Sequence, residues 1–150
     1  MADDAVAMLK QDHKRVQDLF DRYERESDPG SQAAREMTQQ MFAELLAHAQ
    51  IEEDIFYPAV QDADDKAVQM IGEGIEEHHA AEALIDDLMK RGADDSEYAA
   101  KMATLISSVR HHIEEEEKEL FPIAQKALSG RLDEIGKDMN DLKQDIRRAA

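Results

Sequence analysis

The chain contains no cysteine. That excludes disulfide staples, thiolate nucleophiles, zinc fingers and iron–sulfur ligation, so any bound metal must be held by His, Asp or Glu. No apolar run approaches the roughly 20 residues of a membrane span. The opening Met1-Ala2-Asp3-Asp4 is acidic where a secretory signal would be basic and then apolar. Both features predict a soluble, cytoplasmic chain without a membrane partner. Positive charge is scarce: 18 Lys+Arg stand against 35 Asp+Glu, for a net charge of −17. Such a field repels phosphate backbones and predicts no nucleic-acid partner. Six glycines, three prolines and few aromatic residues leave little from which to build strands and turns.

What remains is helix-forming. Ala, Glu, Asp, Leu, Lys, Gln and Met dominate, and a 42% hydrophobic share over 150 residues suffices for the core of one domain. Turn signals at Ser27–Ser31, Asp62–Asp65, Gly92–Glu97 and Ser129–Gly130 divide the chain into predicted helices near 3–27, 32–60, 65–91, 95–127 and 131–148. Asp94, three residues before Glu97, has the spacing of a capping box. The first four helices carry apolar stripes at helical spacing: Val6, Leu9, Val16 and Phe20; Met41, Leu45, Ile55, Phe56 and Ala59; Ile71, Ile75, Ile85 and Met89; Leu105, Val109, Leu120 and Ile123. Long helices joined by short loops pack antiparallel, which predicts an all-α, up-down-up-down four-helix bundle over 1–127. Residues 128–150 form an additional short C-terminal helix with a narrow seam of Leu132, Ile135, Met139, Leu142 and Ile146. That seam is expected to dock on the bundle. The alternative is a dimerisation element, so the chain reads as a monomer or weak homodimer.

Polar residues interrupt each stripe at matching depth. His13 falls between Leu9 and Val16; the later inward series run His48, Glu52, Phe56; His78, Glu82, Ile85; and His112, Glu116, Leu120. A 3.6-residue period therefore aims one imidazole from each helix at a common axis, with carboxylates one turn on. Unpartnered, such groups would each cost several kcal/mol in an apolar core. Any one of them can be a hydrogen-bonded core histidine, but four together with carboxylates are satisfied at once by metal. Most of the Glu114–Glu117 block reads as a solvated face, with Glu114 and Glu117 in water and only Glu116 inward. His79 and His111, about 100° from their neighbours, read as outer positions.

The pattern also repeats. His48-Ala-Gln-Ile-Glu52 to Phe56-Tyr57-Pro58 parallels His112-Ile-Glu-Glu-Glu116 to Leu120-Phe121-Pro122 at an offset of 64, and His13 parallels His78 at 65, each directly after an acid, Asp12 or Glu77. A helical hairpin used twice would give a pseudo-two-fold site. Each proline should kink or end its helix. Tyr57 is expected to lie off the axis, with no chemical role. Four imidazoles and two carboxylates exceed one tetrahedral zinc site and are too rich in nitrogen for calcium or magnesium. They suit two iron ions, manganese being the alternative, with Glu52 and Glu116 bridging and a histidine pair completing each ion.

This ordered set of motifs resembles the hemerythrin-like (HHE cation-binding) domain family, over about residues 3–127. The resemblance implies a non-haem di-iron centre, oxo- or hydroxo-bridged, whose reduced form reacts with dioxygen, hydrogen peroxide or nitric oxide. It implies His13, His48, Glu52, His78, His112 and Glu116 as the metal ligands. In the oxygen-carrying hemerythrins helix three supplies two histidines four residues apart and helix four His-x-x-x-x-Asp. Here the residue four before His78 is Gly74, the residue four after it is Glu82, and the fourth helix has His112-x-x-x-Glu116. Glu82 is thus a possible ligand in place of the fifth histidine, and a harder carboxylate there argues against reversible oxygen carriage. Three functions follow: an enzyme of oxidative stress with catalase-like or nitric-oxide-detoxifying turnover, a binding module that senses oxygen or iron or stores iron, and a metal-free bundle. Phe20, Phe56 and Ile85 are expected to wall the site.

Overall fold

A computed structural model describes residues 4–149. Position 3, the predicted start of the first helix, lies outside the described residues, as do 1–2 and 150 of the two predicted segments. Helix α1 (Ala5–Arg25) starts where Asp4 accepts a hydrogen bond from the Ala7 N–H at 2.8 Å, and α2 (Gln32–Ile51) starts where Ser31 does the same for Ala34 at 3.1 Å. A π turn at Glu52–Phe56 leads into α3 (Tyr57–Ala63), a 3₁₀ turn at Asp65–Ala67 into α4 (Val68–Arg91), and α5 (Tyr98–Glu115) passes through a second π turn at Glu116–Leu120 into α6 (Phe121–Ala127). Helix α7 (Leu132–Ala149) closes the chain. Among the described residues no strand occurs, and the element order is that of the predicted four-helix bundle with a further C-terminal helix.

The two prolines neither end nor break their helices. Pro58 and Pro122 sit at the start of α3 and α6, and the turn before each widens so that Tyr57 N–H bonds Glu52 C=O and Phe121 N–H bonds Glu116 C=O. A π turn relieves the clash a proline ring makes with the carbonyl four residues back. The capping box at Asp94 does not form. Asp95 instead accepts from the Glu97 N–H at 2.8 Å, and the helix begins only at Tyr98. Gly92 ends α4 at φ 81°, a left-handed value that favours glycine.

The apolar stripes meet as two cores with a polar layer between them. One gathers Val6, Leu9, Phe56, Ile71, Leu120 and Phe121; the other Val16, Phe20, Met41, Ile85, Leu105 and Val109. Met89, expected inward, is 67% exposed, because the face of α4 drifts after Ile85 and Leu88 takes the inward position. The α7 seam packs within the chain: Ile135 and Met139 are buried with Ala5, Val6 and Leu9, and Leu132, Leu142 and Ile146 lie against them. The seam is therefore not left free to pair with another copy. No helix among the described residues is long and apolar enough to cross a membrane.

Candidate metal centre

The layer between the two cores holds His13 of α1, His48 of α2, His78 of α4, His112 of α5, and Glu52 and Glu116, the first residues of the two π turns. All six are buried, Glu52 completely. The structure brings them together as two groups that share Glu52: His13, His48, Glu52 and Glu116, and Glu52, His78 and His112, the donor atoms of each lying within 4.8 Å of one another. The histidines pair accordingly, with ring centroids 4.9 Å apart in both His13–His48 and His78–His112. The two oxygens of Glu116 face different pairs, Oε1 at 3.1 Å from His13 Nε2 and Oε2 at 3.4 Å from His112 Nε2. Glu52 Oε1 lies 3.2, 3.0 and 3.8 Å from the Nε2 atoms of His48, His78 and His112.

Four carboxylates that the sequence reading left without a role aim the imidazoles. Nδ1–H of His13 donates to Glu117 at 2.7 Å, His48 to Asp12 at 3.1 Å, His78 to Glu53 at 2.8 Å and His112 to Glu77 at 2.7 Å. Each carboxylate belongs to the helix next in the cycle, so the four bonds form a closed ring around the bundle. An acceptor on Nδ1 keeps a proton there and turns Nε2 inward, the arrangement by which proteins orient metal-bound histidines. Glu117 is thus half-buried and engaged, not solvated as predicted. Glu114, His79 and His111 are exposed, His111 pairing with Glu115 at 2.9 Å. The signal was present in the sequence: Asp12, Glu53, Glu77 and Glu117 each adjoin an inward residue, at the offsets of the repeat. Asp12 also takes Arg15 and Lys143, the latter at 2.7 Å from α7.

Tyr57 corrects the sequence reading. Its side chain is 2% exposed and its hydroxyl lies 3.2 Å from Glu52 and 2.7 Å from Glu116, touching both central carboxylates. In an α-helix a residue five positions after Glu52 would be turned well away, but a π turn closes on its fifth residue and brings Tyr57 back over Glu52. The second π turn does the same for Phe121. The two rings stack on equivalent histidines, Tyr57 on His78 at 5.6 Å and Phe121 on His13 at 5.5 Å. The hydroxyl breaks this symmetry, and Gly74 makes room for it: a Cβ there would lie 3.0 Å from Tyr57 Oη. The phenol thus occupies the space beside the residue four before His78, where the oxygen-carrying pattern has its further histidine. Glu82 lies half-buried on the wall of an adjoining cavity, outside the two donor groups.

The donor set fits a pair of cations. His13 Nε2, His48 Nε2, His112 Nε2, Glu52 Oε2 and Glu116 Oε1 are buried without a hydrogen-bond partner among the described residues. Their closest approaches are not aligned as hydrogen bonds, yet two donors sharing one ion at bond lengths of about 2.1 Å and a right angle lie about 3.0 Å apart. Burial opposes charge on His48 and His112, but the surrounding carboxylates outweigh it, pushing His48 up to about 10 and His112 up to about 12. Burial likewise resists ionising Glu52, yet His48, His112 and His78 hold it well below the usual range. Burial and then the two carboxylates raise the Tyr57 phenol well above its ordinary value. A site this charged needs counter-ions: protons in the empty chain, cations otherwise.

A cavity of about 50 Å³ opens against the four histidines, its apolar wall formed by Val16, Leu45, Ile85, Val109 and Ile113. Ile85 is the one expected wall residue that lines it. Phe20 belongs to the core around it and Phe56 to the opposite core. Comparison with known proteins agrees with this geometry. Residues 4–124 match the family described as the hemerythrin HHE cation binding domain. A relative from Nostoc sp. (strain PCC 7120 / SAG 25.82 / UTEX 2576), described as a DNA nickase, is 27% identical over 127 residues, 81% of this chain and 34% of that protein. The chain therefore spans about a third of that relative's length. The crystal structure of a hemerythrin HHE cation binding domain-containing protein, the Rv2633c homolog from Mycobacterium kansasii, superposes with a TM-score of 0.84 at 21% identity, covering 98% of this chain and 89% of that one. By the match over 4–124, the chain belongs to the hemerythrin HHE cation-binding domain family.

Proposed function

We propose that the chain is a non-haem di-iron protein that binds or reacts with small oxidants (dioxygen, hydrogen peroxide or nitric oxide) in the bundle core. The observation that carries this reading is the convergence of four Nε2 atoms and two carboxylates, most of them buried and unbonded, beside an apolar cavity. His13 and His48 would hold one ion and His78 and His112 the other, with Glu52 and Glu116 between them. An iron pair, when bound there in its reduced form, would supply two electrons to a small oxidant. The chain's own residues do the rest. The carboxylate ring keeps each imidazole aimed, and the Val16–Ile85–Val109 wall admits small neutral molecules while excluding bulk water. The Tyr57 hydroxyl holds a proton against the two central carboxylates. Glu82, on the cavity wall, is the remaining carboxylate able to reach a ligand or an ion.

The Nostoc relative's name concerns a protein of which this chain matches a third. A net charge of −17 opposes a DNA backbone, and we assign the chain no nucleic-acid contact. The test is anaerobic reconstitution with Fe(II). Two irons per chain and a near-ultraviolet band in the oxidised protein are expected, with the band lost in His112→Ala and Glu52→Ala. Stopped-flow mixing of the reduced protein with each oxidant then separates turnover from binding. If no oxidant reacts faster than with free iron, only a storage or sensing role survives.

A further inference from the structure

The first cavity is mainly apolar, with Glu77 and Glu82 the two carboxylates on its wall, and suits neutral oxidants better than a hydrated divalent cation. A second cleft reaches the same centre from the other side, between α4 and the second π turn, and its lining is acidic: Glu73, Glu77, Glu115 and Glu119 lead inward to Glu116 and His112. Gly74, having no side chain, forms part of its wall beside the Tyr57 hydroxyl. Two inner groups make this more than a cluster of surface acids. Glu116 is 4% exposed and His112 9%, and each has a buried donor atom, Oε1 and Nε2, without a hydrogen-bond partner. Near the cleft, Glu77, His111 and Glu115 bring one donor atom each within 4.8 Å of one another. His111 and Glu115 are largely exposed, whereas Glu77 also accepts the His112 Nδ1–H bond at 2.7 Å. Glu77 thus touches both the outer triad and a residue of the core.

We propose that this acidic cleft is the route by which a divalent cation enters the core, and that Glu77, His111 and Glu115 form a third, transient cation site at its mouth. The proposal rests on the reading of the core as a metal centre. The donors match an exchangeable site: one imidazole and two carboxylates, all partly open to water, so hydration is exchanged for protein ligands stepwise. A cleft lined by one sign of charge concentrates its counter-ion and can raise association rates about 10- to 1,000-fold. Cation and oxidant would then arrive through different openings, one mainly acidic and one mainly apolar, with Glu77 on the wall of both.

The experiment uses the full chain, stripped of metal and titrated with Co(II), whose d–d spectrum reports coordination without redox chemistry. Wild type is expected to bind three Co(II), the third weakly. A His111→Ala/Glu115→Gln chain, altered only at exposed positions, should bind two with the same final core spectrum, and its core should fill about tenfold or more slowly in stopped flow. A wild type that binds only two, a third ion that survives the double substitution, or an unchanged filling rate would each overturn the entry route while leaving the core reading intact. Failure of wild type to bind any Co(II) would remove both.

Discussion

Loading the centre must expel protons. In the metal-free chain the buried carboxylates have imidazoles as their counter-ions. His48 and His112 titrate at about 10 and about 12, and His78 is also raised, Glu52 and Glu53 outweighing its burial and the repulsion of His112. His48 and His112 are imidazolium at neutral pH, and neither can offer Nε2 to an ion until it gives up a proton. About two protons per chain, one each from His48 and His112, should therefore leave on loading near neutral pH, and the affinity for the ion pair should rise steeply with pH. Stability of the empty chain runs the other way. A folded pKa above the unfolded value stabilises fully below the unfolded value and loses that contribution as pH rises through the folded one. For His48, a shift from 6.5 to about 10 corresponds to at most about 5 kcal/mol at about 1.4 kcal/mol per pH unit. The melting temperature of the empty chain should fall between about pH 7 and 10, and that of the loaded chain much less. Calorimetric Co(II) titrations in buffers of different ionisation enthalpy count the protons directly, and thermal melts follow stability. Binding without proton release, or an empty chain that grows more stable over that range, would refute the account.

Other substitutions probe single links. Tyr57→Phe keeps the stack on His78 but removes the phenol from Glu52 and Glu116; two-ion loading should persist while reaction with peroxide slows on the order of 100-fold, read by single-turnover kinetics. Asp12→Asn loosens His48 and deprives Lys143 and Arg15 of their shared partner, so metal affinity should fall about 10- to 100-fold, measured by competition with a chelator. Phe121→Ala removes the ring that stacks on His13 and meets Phe56 edge-on, and should cost about 3–5 kcal/mol in urea unfolding. His79→Ala, at an exposed position, should leave stability within about 0.5 kcal/mol and metal content unchanged.

The parts of the centre that were legible in the sequence share one property: they obey a constant helical period. His13 between Leu9 and Val16, or His112 between Val109 and Glu116, points inward for the same reason its apolar neighbours do. The readings that failed are those where the period changes or where partners come from another helix. Tyr57 was placed off the axis because it directly follows the inward-facing Phe56 at a constant helical period, whereas the chain adds a residue to the turn and rotates everything after it. Met89 was misplaced because the buried face of its 24-residue helix departs from a strict 3.6-residue register and ends on Leu88. Glu117 was assigned to water because nothing along its own helix gives it a partner; His13, 104 positions away, does.

Taken alone, the amino-acid sequence determined an all-helical bundle, the depth of the polar layer and the six side chains that meet in it. Periodicity is a local property, carried by each helix irrespective of its neighbours. Only the tertiary structure decided that four carboxylates close a ring around the imidazoles, that a phenol fills the space beside Gly74, and that α7 sends Lys143 to Asp12. Those outcomes depend on the rotation and depth at which helices distant in the chain come to lie against one another, and that is set by packing the whole core at once.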